Sequence, residues 1–70
     1  MNRISVQSSN IRSIGYDTDK RILEVEFNSG SIYQYSGVSE YEYEGLLNAS
    51  SKGRYMNTHI KDRFTCIQVR

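Results

Sequence analysis

Seventy residues make one small domain, and a chain of this length buries only about 60% of the surface its unfolded form exposes, which leaves no room for a deep cleft between lobes. Hydrophobic residues at 37% and charged residues at 24% describe a folded globular chain, and a formal net charge of +1 gives no global field to steer nucleic acid or membrane. A single cysteine, Cys66, closes no internal disulfide and points to a reducing, cytoplasmic setting, while the absence of an apolar run behind Arg3 or anywhere else argues against a signal peptide or a membrane span.

Residues 1–10 are mostly polar. Ile4 and Val6 alternate with polar neighbours as in a short edge strand, but the segment reads as an arm. Residues 11–16 form a first strand with Ile14 and Tyr16 on one side, and Asp17, Thr18, Asp19 and Lys20 supply a turn. Residues 21–27 are the clearest strand: Leu23, Val25 and Phe27 recur every second position, so they are expected on a buried face, with Glu24 and Glu26 on a wet one. Asn28, Ser29 and Gly30 turn the chain into a third strand over residues 32–35. The sum is a three-stranded antiparallel meander.

Residues 39–44 alternate tyrosines and could continue as a strand, yet several signals favour a helix. Gly37 breaks the strand, Ser39 and Glu42 make a capping box, Val38 and Tyr43 are spaced for a hydrophobic staple, and Glu40, Glu42 and Glu44 suit the positive end of a helix dipole. Tyr43, Leu46 and Leu47 then share one face. Gly45 inside that helix costs about 1 kcal/mol relative to Ala, and close approach to another element would compensate it. Asn48, Ala49 and Ser50 end the helix, and Ser51 caps a second one. There Met56 and Ile60 form the apolar centre, Tyr55, His59 and Arg63 line one border, and Arg54 and Lys61 share the far side. Residues 64–69 alternate Thr65, Ile67 and Val69 with Phe64, Cys66 and Gln68 and read as a closing strand.

Charge is concentrated in residues 51–63, where Lys52, Arg54, Lys61 and Arg63 face a single acid, Asp62; the preceding helix holds three glutamates. No metal is expected, because His59, Asp62 and Cys66 fall short of a structural ligand set. A thiol nucleophile would need His59 within hydrogen-bond reach of Cys66, and the spacing gives no reason for that. Ser51, Lys52 and Gly53 have the groups of an anion site at a helix start, but in the wrong order for a phosphate loop; an ordinary cap with a solvated Lys52 is the favoured reading. Six tyrosines and no tryptophan leave an aromatic surplus. Tyr33 and Tyr35 share a strand face and serve either to cover the core or to stack on unpaired bases.

One family combines these blocks in this order. Residues 6–11 (VQSSNI), 14–17 (IGYD), 23–27 (LEVEF) with Gly30, 33–35 (YQY), Gly37 and Val38, then 51–55 (SKGRY) with Asn57, Ile60 and Arg63, resemble the KTSC domain. That module is named for the C-terminus of some lysyl-tRNA synthetases and is also found alone in bacterial and phage proteins. The resemblance covers residues 6–63 of a single domain spanning residues 1–70, with the family's Y-x-Y on Tyr33 and Tyr35. Phe64 and Thr65 depart from the tyrosine, often followed by proline, that the family places there. The family carries no established activity; its synthetase setting implies RNA binding.

The expected fold is α+β: a three-stranded antiparallel meander, two short helices on one face and a short C-terminal strand. The expected function is non-catalytic binding without a cofactor or membrane. In the first version Lys52, Arg54, Lys61 and Arg63 contact RNA phosphates, residues 51–53 receive one phosphate, and Tyr33, Tyr35 or Tyr55 stack on bases. In the second, the same basic face meets another protein or a second copy.

Overall fold

A computed structural model describes residues 1–70. Five antiparallel strands run in sequence order across one sheet: β1 (Arg3–Ser5), β2 (Ile11–Asp17), β3 (Ile22–Phe27), β4 (Ile32–Ser36) and β5 (Thr65–Gln68). The expected meander is therefore its centre, β2 to β4, the expected closing strand is present as β5, and one correction extends the sheet. The N-terminal arm is an edge strand, with Ile4 opposite Ile14, and the closing strand pairs with β4, with Cys66 opposite Tyr35. The β4–β5 pairing is non-local, joining Ser36 to Thr65 across the whole helical segment, so alternation in the sequence shows that a closing strand is there without showing where it docks.

Register explains which side chains reach the core. Leu23 faces Tyr35 on one side and Tyr16 on the other, while Val25 lies between Ile14 and Tyr33. A bulge between Ile11 and Ser13 inserts Arg12 as an extra residue, which returns Ile11 to the same face as Ile14. The turns follow their chemistry. Asp17 Oδ1 accepts the Lys20 N–H at 3.1 Å, and Gly30 and Gly37 take φ of 98° and 83°, which side chains rarely adopt.

The helical layer covers this face alone. Helix α1 (Glu40–Asn48) begins on the expected capping box: the Ser39 side chain accepts the Glu42 N–H at 3.2 Å, and the Glu42 carboxylate accepts the Ser39 N–H at 3.0 Å. It buries Leu46, with Tyr43 and Leu47 packed beside it. Tyr43 stacks on Tyr16 at 4.8 Å between centroids, and the Tyr16 hydroxyl donates to the Val38 carbonyl at 2.5 Å. Helix α2 (Lys52–Tyr55) runs directly into a π-helical turn, Met56–Ile60, closed by Lys61 N–H donating to Met56 O at 2.7 Å. Met56 and Ile60 are buried as expected.

Glu24 and Glu26 do not lie on a wet face. They are 7% and 8% exposed, because arginines close over the side of the sheet that the helices leave open. Arg3 pairs with Glu24, and Arg12 and Arg70 reach Glu26 at 3.6 and 3.3 Å. No helix is long and apolar enough to cross a membrane.

Candidate nucleic-acid interface

A groove of about 670 Å³ opens on the helical face, between the β3–β5 end of the sheet and the second helical segment. The sheet contributes Phe27, Tyr33, Tyr35 and Cys66, because alternate residues of three neighbouring strands point the same way. Phe64, just before β5, adds a half-buried ring. Phe27 and Tyr33 meet edge to face, with centroids 5.7 Å apart and planes at 82°. Across the groove stand Met56, Asn57 and Lys61, with Asn10 and Gly53 at the end nearest the strand 1–2 loop.

The tyrosines differ in what holds them. The Tyr33 hydroxyl donates to Gln68 Oε1 at 3.3 Å. Tyr35 is 5% exposed, and burial first, then the nearby Cys66, Tyr33 and Asp62, pushes its hydroxyl up to about 12, so it remains protonated at neutral pH.

Tyr55 belongs elsewhere. With His59 and Arg63 it lines a second concavity, whose opposite wall is α1 through Glu42, Glu44, Gly45 and Asn48. The Tyr55 and His59 rings lie 4.4 Å apart between centroids. Hydrogen bonding to Ser39, with the Arg63 and Arg21 charges behind it, outweighs burial and holds the Glu42 carboxyl below its ordinary value; burial, with Glu42 and Tyr41 nearby, raises the Tyr55 hydroxyl. The row expected along the border of the core is real, and it faces the acidic helix of the same molecule.

The expected basic face is divided. Arg54 borders a third, shallow hollow with Ser51 and Thr58, and Lys61 stands in the aromatic groove. They do not share a side, because the π turn advances the chain by more residues per turn than the α spacing assumes, and Lys61 itself has left the helix at ψ 138°. Lys52 turns its ammonium back to donate to Ala49 O at 3.1 Å. Around the start of α2, Ser51 Oγ accepts the Arg54 N–H at 3.3 Å and Gly53 packs on Asn10, whose amide nitrogen lies 2.9 Å from where a Cβ would be. Residues 51–53 thus make a cap, and the groups expected to converge on an anion are engaged within the chain.

Sequence reasoning therefore names Tyr33, Tyr35, Gly53 and Lys61 of the groove and misses Phe27, Asn57, Phe64 and Cys66 as its walls. Phe64 and Cys66 alternate along the closing strand, a signal that becomes useful only when that strand is placed beside Tyr33 and Tyr35.

Comparison with known proteins gives a consistent picture. The sequence model of the KTSC domain matches residues 7–64. A protein of Stutzerimonas stutzeri (strain A1501) is 48% identical over 61 residues, covering 87% of this chain and 86% of that protein. A lysine–tRNA ligase of Nostoc punctiforme is 40% identical over 63 residues, which is 90% of this chain and 11% of the ligase. The crystal structure of a KTSC domain protein from Yersinia pestis matches with a TM-score of 0.96 and 43% identity, covering 99% of this chain and 97% of that one.

Proposed function

The chain belongs to the KTSC domain family, and from that premise we propose that it is a non-catalytic RNA-binding module whose ligand-facing element is the aromatic groove. The observation that carries the reading is the juxtaposition of Phe27, Tyr33 and Phe64 with Lys61 and the Asn57 amide in one open groove: aromatic faces for unpaired bases beside a cation for phosphate. Part of a lysine–tRNA ligase is similar to nearly the whole chain, and that enzyme is named for a tRNA, which supports RNA as the ligand class. Arg54 and Arg63, exposed on other sides, contribute to attraction over a distance more than to seating a base. Cys66, exposed and unpaired, supports a working place in the reducing cytoplasm.

The alternative, a protein-interaction or self-association module using the basic face, has less to stand on. The acidic helix and the Tyr55, His59 and Arg63 row already face one another within one chain.

The test is an amide-shift titration of the labelled domain with single-stranded RNA at low salt. Binding should move the amides of Tyr33, Tyr35, Asn57, Lys61 and Cys66 more than those of α1, and Lys61→Ala should lower the slope of log affinity against log salt by about one. If no amide in the groove responds to single-stranded RNA or to tRNA, the reading is wrong.

A further inference from the structure

The three strand tyrosines are not equivalent. Tyr16 donates to Val38 O and Tyr33 to Gln68 Oε1, while the Tyr35 hydroxyl has no protein partner. Every side-chain polar atom fully shut off from solvent is satisfied, so the small exposure left to Tyr35 includes its hydroxyl, and the surface it meets is the groove. A hydroxyl that meets solvent only in the groove and has no partner in the chain is free to pair with whatever occupies the groove in place of water.

Resting on the RNA-binding reading, we infer that the groove seats one unpaired nucleobase and that the Tyr35 hydroxyl makes a hydrogen bond to that base's polar edge. The volume, about 670 Å³, lies in the range of small-ligand pockets. A base has both features the lining asks for: a flat apolar face for Phe27, Tyr33 and Phe64, and an edge of donors and acceptors for Tyr35 and the Asn10 and Asn57 amides. Lys61, exposed and lining the groove next to Asp62, is the one cation there for the attached phosphate. In a duplex the same edge is already paired, so the seat selects an unpaired nucleotide.

Base and phosphate reach such a seat either as a free nucleotide or within a strand, and the experiment separates the two. Wild-type protein and Tyr35→Phe are titrated with the four nucleoside 5′-monophosphates and with short single-stranded homopolymers, and thermal midpoints are recorded in parallel. Tyr35→Phe should bind its best homopolymer roughly 5- to 10-fold more weakly, lose part of the preference between bases, and melt no lower than wild type. In a second arm, Cys66, which is exposed and lies opposite Tyr35 in the strand register, is alkylated with a bulky maleimide; the adduct should block binding and leave the fold intact.

Tighter binding of homopolymer than of monophosphate supports both the seat and the RNA reading. Equal affinity for the two supports the seat and counts against RNA. RNA binding that survives Tyr35→Phe and the Cys66 adduct unchanged overturns the seat while sparing the RNA reading. A Tyr35→Phe protein that melts lower and binds normally also overturns it, by making the hydroxyl structural. No binding of any nucleotide by the wild type overturns both.

Discussion

Gly45 has its place because of one ring. In the middle of a helix, Gly→Ala is ordinarily worth about 1 kcal/mol of added stability. Here a Cβ would collide with the hydroxyl end of Tyr55 and stand 2.8 Å from its Cζ, in the space that the tyrosine fills against α1. Gly45→Ala is therefore expected to destabilise by about 1–3 kcal/mol, as overpacking does. In a Tyr55→Ala background the same substitution should become neutral or stabilising, and a double-mutant cycle in denaturant measures the coupling. Gly53→Ala should cost less than Gly45→Ala, because the atom it meets is the end of the flexible Asn10 side chain. From the sequence, a glycine inside a helix calls for a close neighbour; that the neighbour is Tyr55 depends on how two helices cross, which no local pattern encodes.

Among the elements, α1 was the most legible because its start is written in neighbouring residues. Ser39 and Glu42 satisfy each other's backbone, and the structure reproduces the spacing directly. Ser39→Ala removes the bond its hydroxyl accepts from the Glu42 N–H and the one it donates to the Glu42 carboxylate, while the backbone N–H of residue 39 remains, and should cost about 1 kcal/mol. It should also raise the Glu42 carboxyl toward its ordinary value of 4.5, since the Ser39 hydrogen bond is the largest influence holding it down. A proton titration followed by carboxyl chemical shift checks both residues at once: an unmoved Glu42 would mean that the box is not formed in solution. The second helix was less legible. Its cap at Ser51 and its buried Met56 and Ile60 follow from pattern, but the π turn does not. There the Thr58 hydroxyl donates to Arg54 O at 2.7 Å and Lys61 N–H bonds five residues back, so the 3.6-residue period misplaces Lys61 relative to Arg54. One widened turn is enough to divide a charge cluster that looks continuous in the sequence.

Across the whole molecule, the open face of the sheet ties the edge strands to the centre. Glu24 and Glu26 alternate with core residues and so read as solvent-facing, but arginines from distant segments bury them. Ser13 donates to Glu26 at 2.8 Å and Gln34 to Glu24 at 2.8 Å, which leaves the carboxylates hydrogen-bonded as well as charge-paired. Burial alone would raise the Glu24 carboxyl; the Gln34 amide and Arg3, through its hydrogen bond and its charge, outweigh it and hold the group below its ordinary 4.5. A carboxyl depressed in the folded state stabilises the fold fully above its unfolded value and loses that contribution as pH falls through the lower, folded one. The domain should therefore lose stability on the acid side of 4.5. Arg3→Ala leaves Glu24 buried with Gln34 as its remaining partner, and should cost about 1–3 kcal/mol at neutral pH. Because that variant has already lost the hydrogen bond and charge by which Arg3 helps Gln34 to depress Glu24, its denaturant midpoint should fall less steeply than wild type between neutral pH and about pH 2. Hydrogen exchange supplies the spatial control. If Arg3 holds β1 to the sheet through Glu24, exchange in the variant should quicken first at the amides pairing β1 with β2. A uniform increase across β2, β3 and β4 would place the loss in the core instead and remove the clamp from the account of how this sheet keeps its N-terminal edge.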